Sequence, residues 1–309
     1  MTALNVGVIG IGAFGSRVAL RLLWNGHHTL QLYDVDDVST RQFTNDYGGL
    51  ITGSPKMMAQ ACDAVITALP SAAELREVCF GWESLSKGFG AGGIVIDVGI
   101  TDPMETIAIA RELAARDIDL VDAPAFGTPA QAKEGQLTMI VGGEARAVER
   151  CRGVLELLAR KVLRAGAAGS AQATRAIADY LRGANLLAIS EALHLGERFG
   201  FAGDFVLRMS EELGQGDLHE LVQREIITRR FRSGTSLGMI RANIDLAAKL
   251  AAALQVSAPL LAATRSAWGD AEALLGSGAD HTAIIRWLEG LRLPSEPAAE
   301  KPDESTATG

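Results

Sequence analysis

Short apolar runs alternate with longer amphipathic stretches through the first half of the chain. Residues 5–9 form a β-branched apolar run that ends in glycines, and residues 13–24 follow with helical spacing, Phe14, Val18, Leu22 and Leu23 sharing a face. Further strand-like runs lie at 29–33, 64–67, 94–97 and 120–122, with helical patterns near 56–62, 73–79 and 103–115. Strands that are apolar throughout and alternate with helices predict a parallel sheet covered on both faces. Residues 137–141 and 161–164 read as late strands of that sheet, so the first domain is expected to span 1–164.

The pattern then changes. Gly166–Gly169 is a flexible turn, and residues 170–199 read as one long helix with Ala173, Ile177, Tyr180, Leu181, Ala184, Leu187 and Leu193 on one side. Helices are also expected at 202–214, 218–228, 237–254, 258–275 and 282–288, with no strand period among them. The expected fold class is α/β: a Rossmann-like, doubly wound parallel sheet followed by an all-helical domain over 165–292. The remaining stretch, 293–309, is polar and rich in Pro, Glu and Ser, too poor in apolar area to offset ordering, and is expected to be a disordered tail.

Composition narrows the function classes. With 29 Lys and Arg against 37 Asp and Glu, the formal net charge of −8 disfavours nucleic acid or an anionic membrane as partner. Three scattered cysteines, Cys62, Cys79 and Cys151, exclude a Cys-rich zinc module and a disulfide scaffold. No closely set His, Cys and Asp cluster suggests a metal. The N-terminus has no signal-like pattern, and the apolar stretches at 184–189 and 246–254 are interrupted or too short to span a bilayer. A cytoplasmic location is the expectation.

The sharpest motif is Gly10-Ile11-Gly12-Ala13-Phe14-Gly15, a GxGxxG turn placed directly after a strand and opening a helix. Gly10 permits the tight turn, Gly12 lets backbone approach a pyrophosphate, and Gly15 permits close helix–strand packing. The helix N-terminus then offers N–H groups to the anion. Asp34 ends the second strand, where a carboxylate accepts hydrogen bonds from adenosine ribose hydroxyls and repels a 2′-phosphate. Val35, Asp36 and Asp37 follow, with no Arg or Lys, so NAD is favoured over NADP. Leu69-Pro70-Ser71 and Asp97-Val98-Gly99-Ile100 follow later strands, where the carboxyl ends of parallel strands line a ligand crevice. Leu69, Pro70, Gly99 and Ile100 are therefore further cofactor candidates.

With these residues in place, the chain resembles the β-hydroxyacid dehydrogenase family, that of 3-hydroxyisobutyrate dehydrogenase and tartronate semialdehyde reductase. More distantly it is similar to 6-phosphogluconate dehydrogenase and the imine reductases. The marks are GIGAFG at 10–15, LPS at 69–71, DVGITDP at 97–103, DAPAFGTPAQAKEGQLTMIVGG at 122–143, GSAQATRAIAD at 169–179 and IDLAAKLAAAL at 244–254. The resemblance implies a Rossmann-like domain joined through a long helix to a helical domain, with an active site in the cleft between them. It implies reversible hydride transfer between nicotinamide and a hydroxyl- or carbonyl-bearing carbon of a small carboxylic acid. It also implies homodimers or tetramers built around the long helix, which is rich in Ala and Leu on more than one side.

Several positions depart from the family pattern. The substrate loop, usually Asp-Ala-Pro-Val-Ser-Gly-Gly, reads Asp122-Ala123-Pro124-Ala125-Phe126-Gly127-Thr128. Phe126 removes a hydroxyl, and Thr128 offers one at another position; Phe126 either adds an aromatic wall, which points to a substrate bulkier or less polar than a three- or four-carbon acid, or turns into the core. The family's catalytic Lys falls on Arg175 and the Asn one turn later on Asp179. Arg stays protonated, so it stabilises developing negative charge but is a poor proton reservoir. Arg175 and Asp179 stand at i,i+4 and can form a salt bridge. Arg175 then polarises a carbonyl, clamps a carboxylate, or is structural only. The proton comes from water, Asp179, Tyr180 or the substrate. A second family Lys-Asp pair matches Ala242 and Asn243, with Arg241 adjacent, and the family Thr that contacts cofactor corresponds to Ile100. The substrate-binding candidates are Asp122, Phe126, Gly127, Thr128, Arg241 and Asn243; the catalytic ones are Arg175 and Asp179. The leading expectation is an NAD-dependent dehydrogenase or reductase of a small hydroxyacid or semialdehyde. An imine reductase and a catalytically inactive NAD-binding sensor are the alternatives.

Overall fold

The computed structural model describes residues 4–127, 129–212 and 219–290. Thr128 and the expected tail at 293–309 lie outside the described residues. The chain divides into two compact units. One contains the residues up to Arg182 together with Ala242–Ala262; the other contains Gly183–Arg241 and the chain from Ala263 onward.

The first unit opens with β1 (Val6–Ile9), α1 (Gly15–Trp24), β2 (Gln31–Tyr33), α2 (Asp37–Tyr47), β3 (Leu50–Ile51), α3 (Pro55–Ala61) and β4 (Ala64–Thr67). It continues with α4 (Ala72–Phe80), α5 (Leu85–Gly88), β5 (Ile94–Asp97), α6 (Pro103–Ala114), β6 (Asp119–Asp122), β7 (Ala125–Phe126), α7 (Pro129–Glu134), β8 (Leu137–Gly142), α8 (Ala145–Leu158) and β9 (Ala159–Gly166). One sheet runs in the order β3-β2-β1-β4-β5-β6-β8-β7, with β9 paired to β8. Successive strand residues go to opposite faces. Val8, Ile66, Ile96 and Val121 join the core under α1 and α8, while Ile9, Val65, Val95 and Leu120 join the one under α3, α4 and α6. This double coverage is why the strands read as unbroken apolar runs.

The sheet has the expected doubly wound parallel core from β3 to β6, and β8 then enters antiparallel, at β6–β8 and β7–β8. The chain between β7 and β8 holds only the six-residue α7, too little for the crossover a parallel neighbour needs. The 14-residue α8 supplies that crossover, and β9 returns parallel to β8. α2 escapes an apolar pattern because only Thr40 and Phe43 are buried on it; its start is set locally by Asp36, whose carboxylate caps the Val38 and Ser39 N–H groups.

The helices that follow are α9 (Ser170–Phe199), α10 (Gly203–Glu212), α11 (His219–Leu221), α12 (Leu237–Ala253), α13 (Pro259–Leu275) and α14 (Ile284–Gly290). α9 has the expected bounds. The expected helix at 218–228 is instead α11 and a π-helical segment, Val222–Ile227. The Glu225 carbonyl accepts from both Arg230 and Phe231, and Arg229 and Phe231 take left-handed backbone, which closes the segment. In the second unit Trp268 is fully buried and donates from Nε1 to the Gly183 carbonyl at 3.2 Å, a packing role. No helix among the described residues is long and apolar enough to cross a membrane.

Candidate active site

The glycine turn joins β1 to α1, and each glycine has a separate physical requirement. Gly10 has φ +93°, and a Cβ there would lie 2.5 Å from the Ala68 carbonyl oxygen. At Gly15 a Cβ would lie 1.8 Å from the Gly10 carbonyl oxygen, so the helix can pack onto the strand end only without one. Gly12 differs: among the described residues, a Cβ there would meet no atom within 4 Å beyond its two chain neighbours. The backbone at Gly12 therefore borders open space, beside a helix N-terminus that no side chain caps. That is the cradle a pyrophosphate requires, and the residues present fit a dinucleotide. Ile11 is buried, Ala13 exposed and Phe14 half-buried.

Asp34 lies just beyond β2. Its Oδ2 accepts the Ile11 N–H at 2.6 Å and its Oδ1 the Asp36 N–H at 2.9 Å. The carboxylate thus ties the glycine turn to the second strand, a bond not foreseen from sequence. The loop after β4 packs against the loop after β5: a Cβ at Gly99 would lie 2.7 Å from the Leu69 carbonyl oxygen. Pro70 is exposed and Ile100 half-buried. Gly10, Leu69 and Gly99 thus follow one another along the carboxyl ends of β1, β4 and β5.

Two buried carboxylates stand under the next elements. Asp97 is fully buried and accepts from Thr67 Oγ1 (3.0 Å), Thr101 Oγ1 (3.2 Å) and the Gly99 N–H (3.2 Å). Burial pushes its carboxyl up to about 6, against these hydrogen bonds. Because the folded-state value lies above that of the unfolded chain, keeping Asp97 charged costs stability. The cost enters as pH rises from about 4 through about 6.

Asp122 corrects an expectation. Instead of facing a substrate, it is fully buried, and its two oxygens accept the N–H groups of Gly169 (2.9 Å), Ala171 (3.0 Å) and Gln172 (3.0 Å). These are N–H groups that the start of a helix leaves unpaired, and the negative charge complements its dipole. Asp122 therefore anchors α9. Burial raises its pKa, and the three N–H donors oppose that shift.

One face of α9, then carries the candidate chemistry. Arg175 donates from Nε to Asp179 Oδ2 at 2.5 Å and from Nη1 to the Ala125 carbonyl. Its guanidinium carbon lies 4.5 Å from the centre of the Phe126 ring, a cation–π contact. Asn243 of α12 donates from Nδ2 to the same Asp179 oxygen at 2.8 Å. Arg175 is 12% exposed and Asp179 2%, so the pair is nearly desolvated and neutral overall. A guanidinium has five N–H donors, and these bonds take Nε and one from Nη1; Nη2 takes part in neither. The structure thus brings together Arg175, Asp179, Asn243 and Phe126. It turns Asn243 Nδ2 toward Asp179. Gly127 is exposed with φ +146°. Arg241 belongs to the other unit, where Gly269 leaves room for it: a Cβ there would lie 3.4 Å from Arg241 Nε. Sequence reasoning missed Gln172 and the anchoring role of Asp122. The available signal was polar residues at the ends of apolar strands and at a helix start.

Residues 5–166 match the family described as the NAD-binding domain of 6-phosphogluconate dehydrogenase, and residues 169–288 the NAD-binding domain of NADP-dependent 3-hydroxyisobutyrate dehydrogenase. The chain is 27% identical to 2-hydroxy-3-oxopropionate reductase of Escherichia coli, over 93% of this chain and 97% of that one. It is 29% identical to L-threonate dehydrogenase of Cupriavidus necator, over 94% and 98%. The solved structure of Mycobacterium tuberculosis 3-hydroxyisobutyrate dehydrogenase with L-serine shares the fold, with a TM-score of 0.86 at 21% identity, covering 93% of this chain and 99% of that one.

Proposed function

The chain belongs to the β-hydroxyacid dehydrogenase family, and we propose that it transfers a hydride between NAD(H) and the alcohol/carbonyl pair of a small hydroxyacid or semialdehyde. The observation that carries this reading is the glycine turn, where Gly12 borders open space at the uncapped start of α1 and Asp34 braces the turn from β2. The dinucleotide, when bound, supplies or accepts the hydride. Residues 1–164 form the nucleotide-binding domain on this reading, and 165–292 the substrate and dimerisation domain.

Arg175 donates toward the carbonyl oxygen through the N–H groups its bonds to Asp179 and Ala125 leave over, and stabilises negative charge as it develops there. Asp179, held by Asn243, fixes the plane of the guanidinium. Phe126 forms an apolar wall beside it, suited to a substrate bulkier than a three- or four-carbon acid. The proton comes from water, Tyr180 or the substrate, since a guanidinium is a poor proton reservoir and Asp179 is committed to Arg175 and Asn243. That commitment also weighs against an imine reductase in which a free carboxylate meets an iminium.

NADH oxidation measured against semialdehydes, ketoacids and cyclic imines tests the function. Turnover of a semialdehyde or ketoacid is expected. Turnover of imines alone would replace the reading with an imine reductase, and NADH binding without turnover with a sensor. Asp34, followed by Asp36 and Asp37, repels a 2′-phosphate, so NAD(H) is expected to bind at least about tenfold tighter than NADP(H). Asp34→Ala should narrow that gap, and equal dissociation constants for the wild type would refute it. The protein acts in the cytoplasm as a homodimer or tetramer on this reading. Leu195 and Phe199 are 72% and 77% exposed on α9, and the Phe201 ring packs, tilted, between Phe199 and Phe205, an apolar surface suited to a second copy. A monomeric mass by light scattering would contradict this.

A further inference from the structure

Gln172 is 1% exposed in the first turn of α9, and both ends of its side-chain amide are engaged. Nε2 donates to the Gly99 carbonyl at 2.9 Å and lies 3.5 Å from Asp97 Oδ2; Oε1 accepts the Thr101 backbone N–H at 3.3 Å. One side chain therefore clamps the loop after β5 from both sides of Ile100. The backbone N–H of Gln172 is itself fixed by Asp122. Arg175 follows three residues later, one turn along the same helix face. The loop assigned to the cofactor and the guanidinium assigned to the substrate oxygen are thus referenced to each other through a single amide.

We propose that Gln172 is a positioning residue for hydride transfer, setting the distance between the Gly99–Ile100 loop and Arg175. The inference rests on the dehydrogenase reading. An amide suits the task because it is neutral and both donates and accepts, which a carboxylate or an ammonium cannot do between a carbonyl and an N–H. Hydride transfer depends steeply on approach, so a shift of about 1 Å at this clamp can cost on the order of a hundredfold in rate. Affinity for the dinucleotide rests mainly on the glycine turn and Asp34, and should respond little.

Gln172→Met removes both side-chain bonds at similar volume. In this variant the Thr101 amide of the apoprotein should exchange faster, and the NADH dissociation constant should stay within about threefold of wild type. Its kcat should fall roughly 10- to 100-fold, with a larger isotope effect from NADH deuterated at C4 of nicotinamide. Gln172→Glu serves if that variant does not fold. Its ionised carboxylate would repel the Gly99 carbonyl and Asp97, with Asp122 nearby, and its protonated form could donate again. Its turnover relative to wild type should therefore rise as pH falls from about 8 to about 6. Unchanged kcat, isotope effect and Thr101 exchange in a folded variant would overturn the proposal. So would a fall in kcat matched by an equal fall in NADH affinity. The wild type run alongside separates the claims: if it is inactive, the function fails and this inference with it; if it is active and the variants are unaffected, the inference alone fails.

Discussion

Arg175→Ala is expected to lower turnover by about 10²–10³, equivalent to about 3–4 kcal/mol of lost transition-state stabilisation, while NADH still binds. The same change strips Asp179 of its ion-pair partner in a nearly dry setting. Removing one partner of a buried pair costs about 3–5 kcal/mol, so the melting temperature should fall as well. A fall in turnover alone would therefore be ambiguous. The double variant Arg175→Ala/Asp179→Asn resolves it, because a neutral amide needs no counter-charge and can still pair with Asn243. The double variant is expected to recover most of the lost melting temperature and none of the lost turnover. Recovery of both would make the pair structural only. Arg175→Lys keeps the charge but loses the planar fork that reaches Asp179 and the Ala125 carbonyl together, and partial activity should survive.

Gly12→Val should have an equally large effect of a different kind. Among the described residues, no atom beyond the adjoining Ile11 and Ala13 lies within 4 Å of a Cβ at Gly12, so the apoprotein should melt within a few degrees of wild type. The added side chain would occupy the space a pyrophosphate needs, and NADH affinity should fall at least about a hundredfold. Gly15→Val is the contrast: its Cβ would overlap the Gly10 carbonyl, so the fold itself should fail first. Retained NADH binding in Gly12→Val, measured by calorimetry on folded protein, would remove the turn from the cofactor site.

Much of this was legible in sequence because it rests on local chemistry. The β1–turn–α1 unit declares itself through glycines with different steric duties. α9 keeps its expected ends because good helix formers fill it between the glycine turn and Gly200. What was hidden depends on long-range pairing. The antiparallel step at β8 follows from the shortness of α7, not from any feature of β8 itself. α8 was readable: Ala147, Val148, Cys151, Val154, Leu155 and Leu158 are buried at helical spacing. It does not figure among the expected helices.

In the site, residue types were legible but the direction of each side chain was not. Asp122 stands out in sequence, yet three N–H groups 47 to 50 residues away claim it for the start of α9. Asn243 binds Asp179 from 64 residues away, and Gln172 reaches back more than 70 residues to Gly99 and Thr101. A buried polar group must find a partner, and the fold determines which one.

The central claim is that the chain moves a hydride between nicotinamide and an alcohol/carbonyl carbon. The direct measurement is incubation of the wild-type protein with a panel of semialdehydes, ketoacids and cyclic imines and NADH carrying deuterium at both C4 positions, followed by mass and NMR analysis of the product. The account predicts deuterium on the new carbinol carbon of a hydroxyacid, with Arg175→Ala transferring it far more slowly. Deuterium retained entirely in the nicotinamide across that panel, or transferred only to the carbon of a cyclic imine, would contradict it.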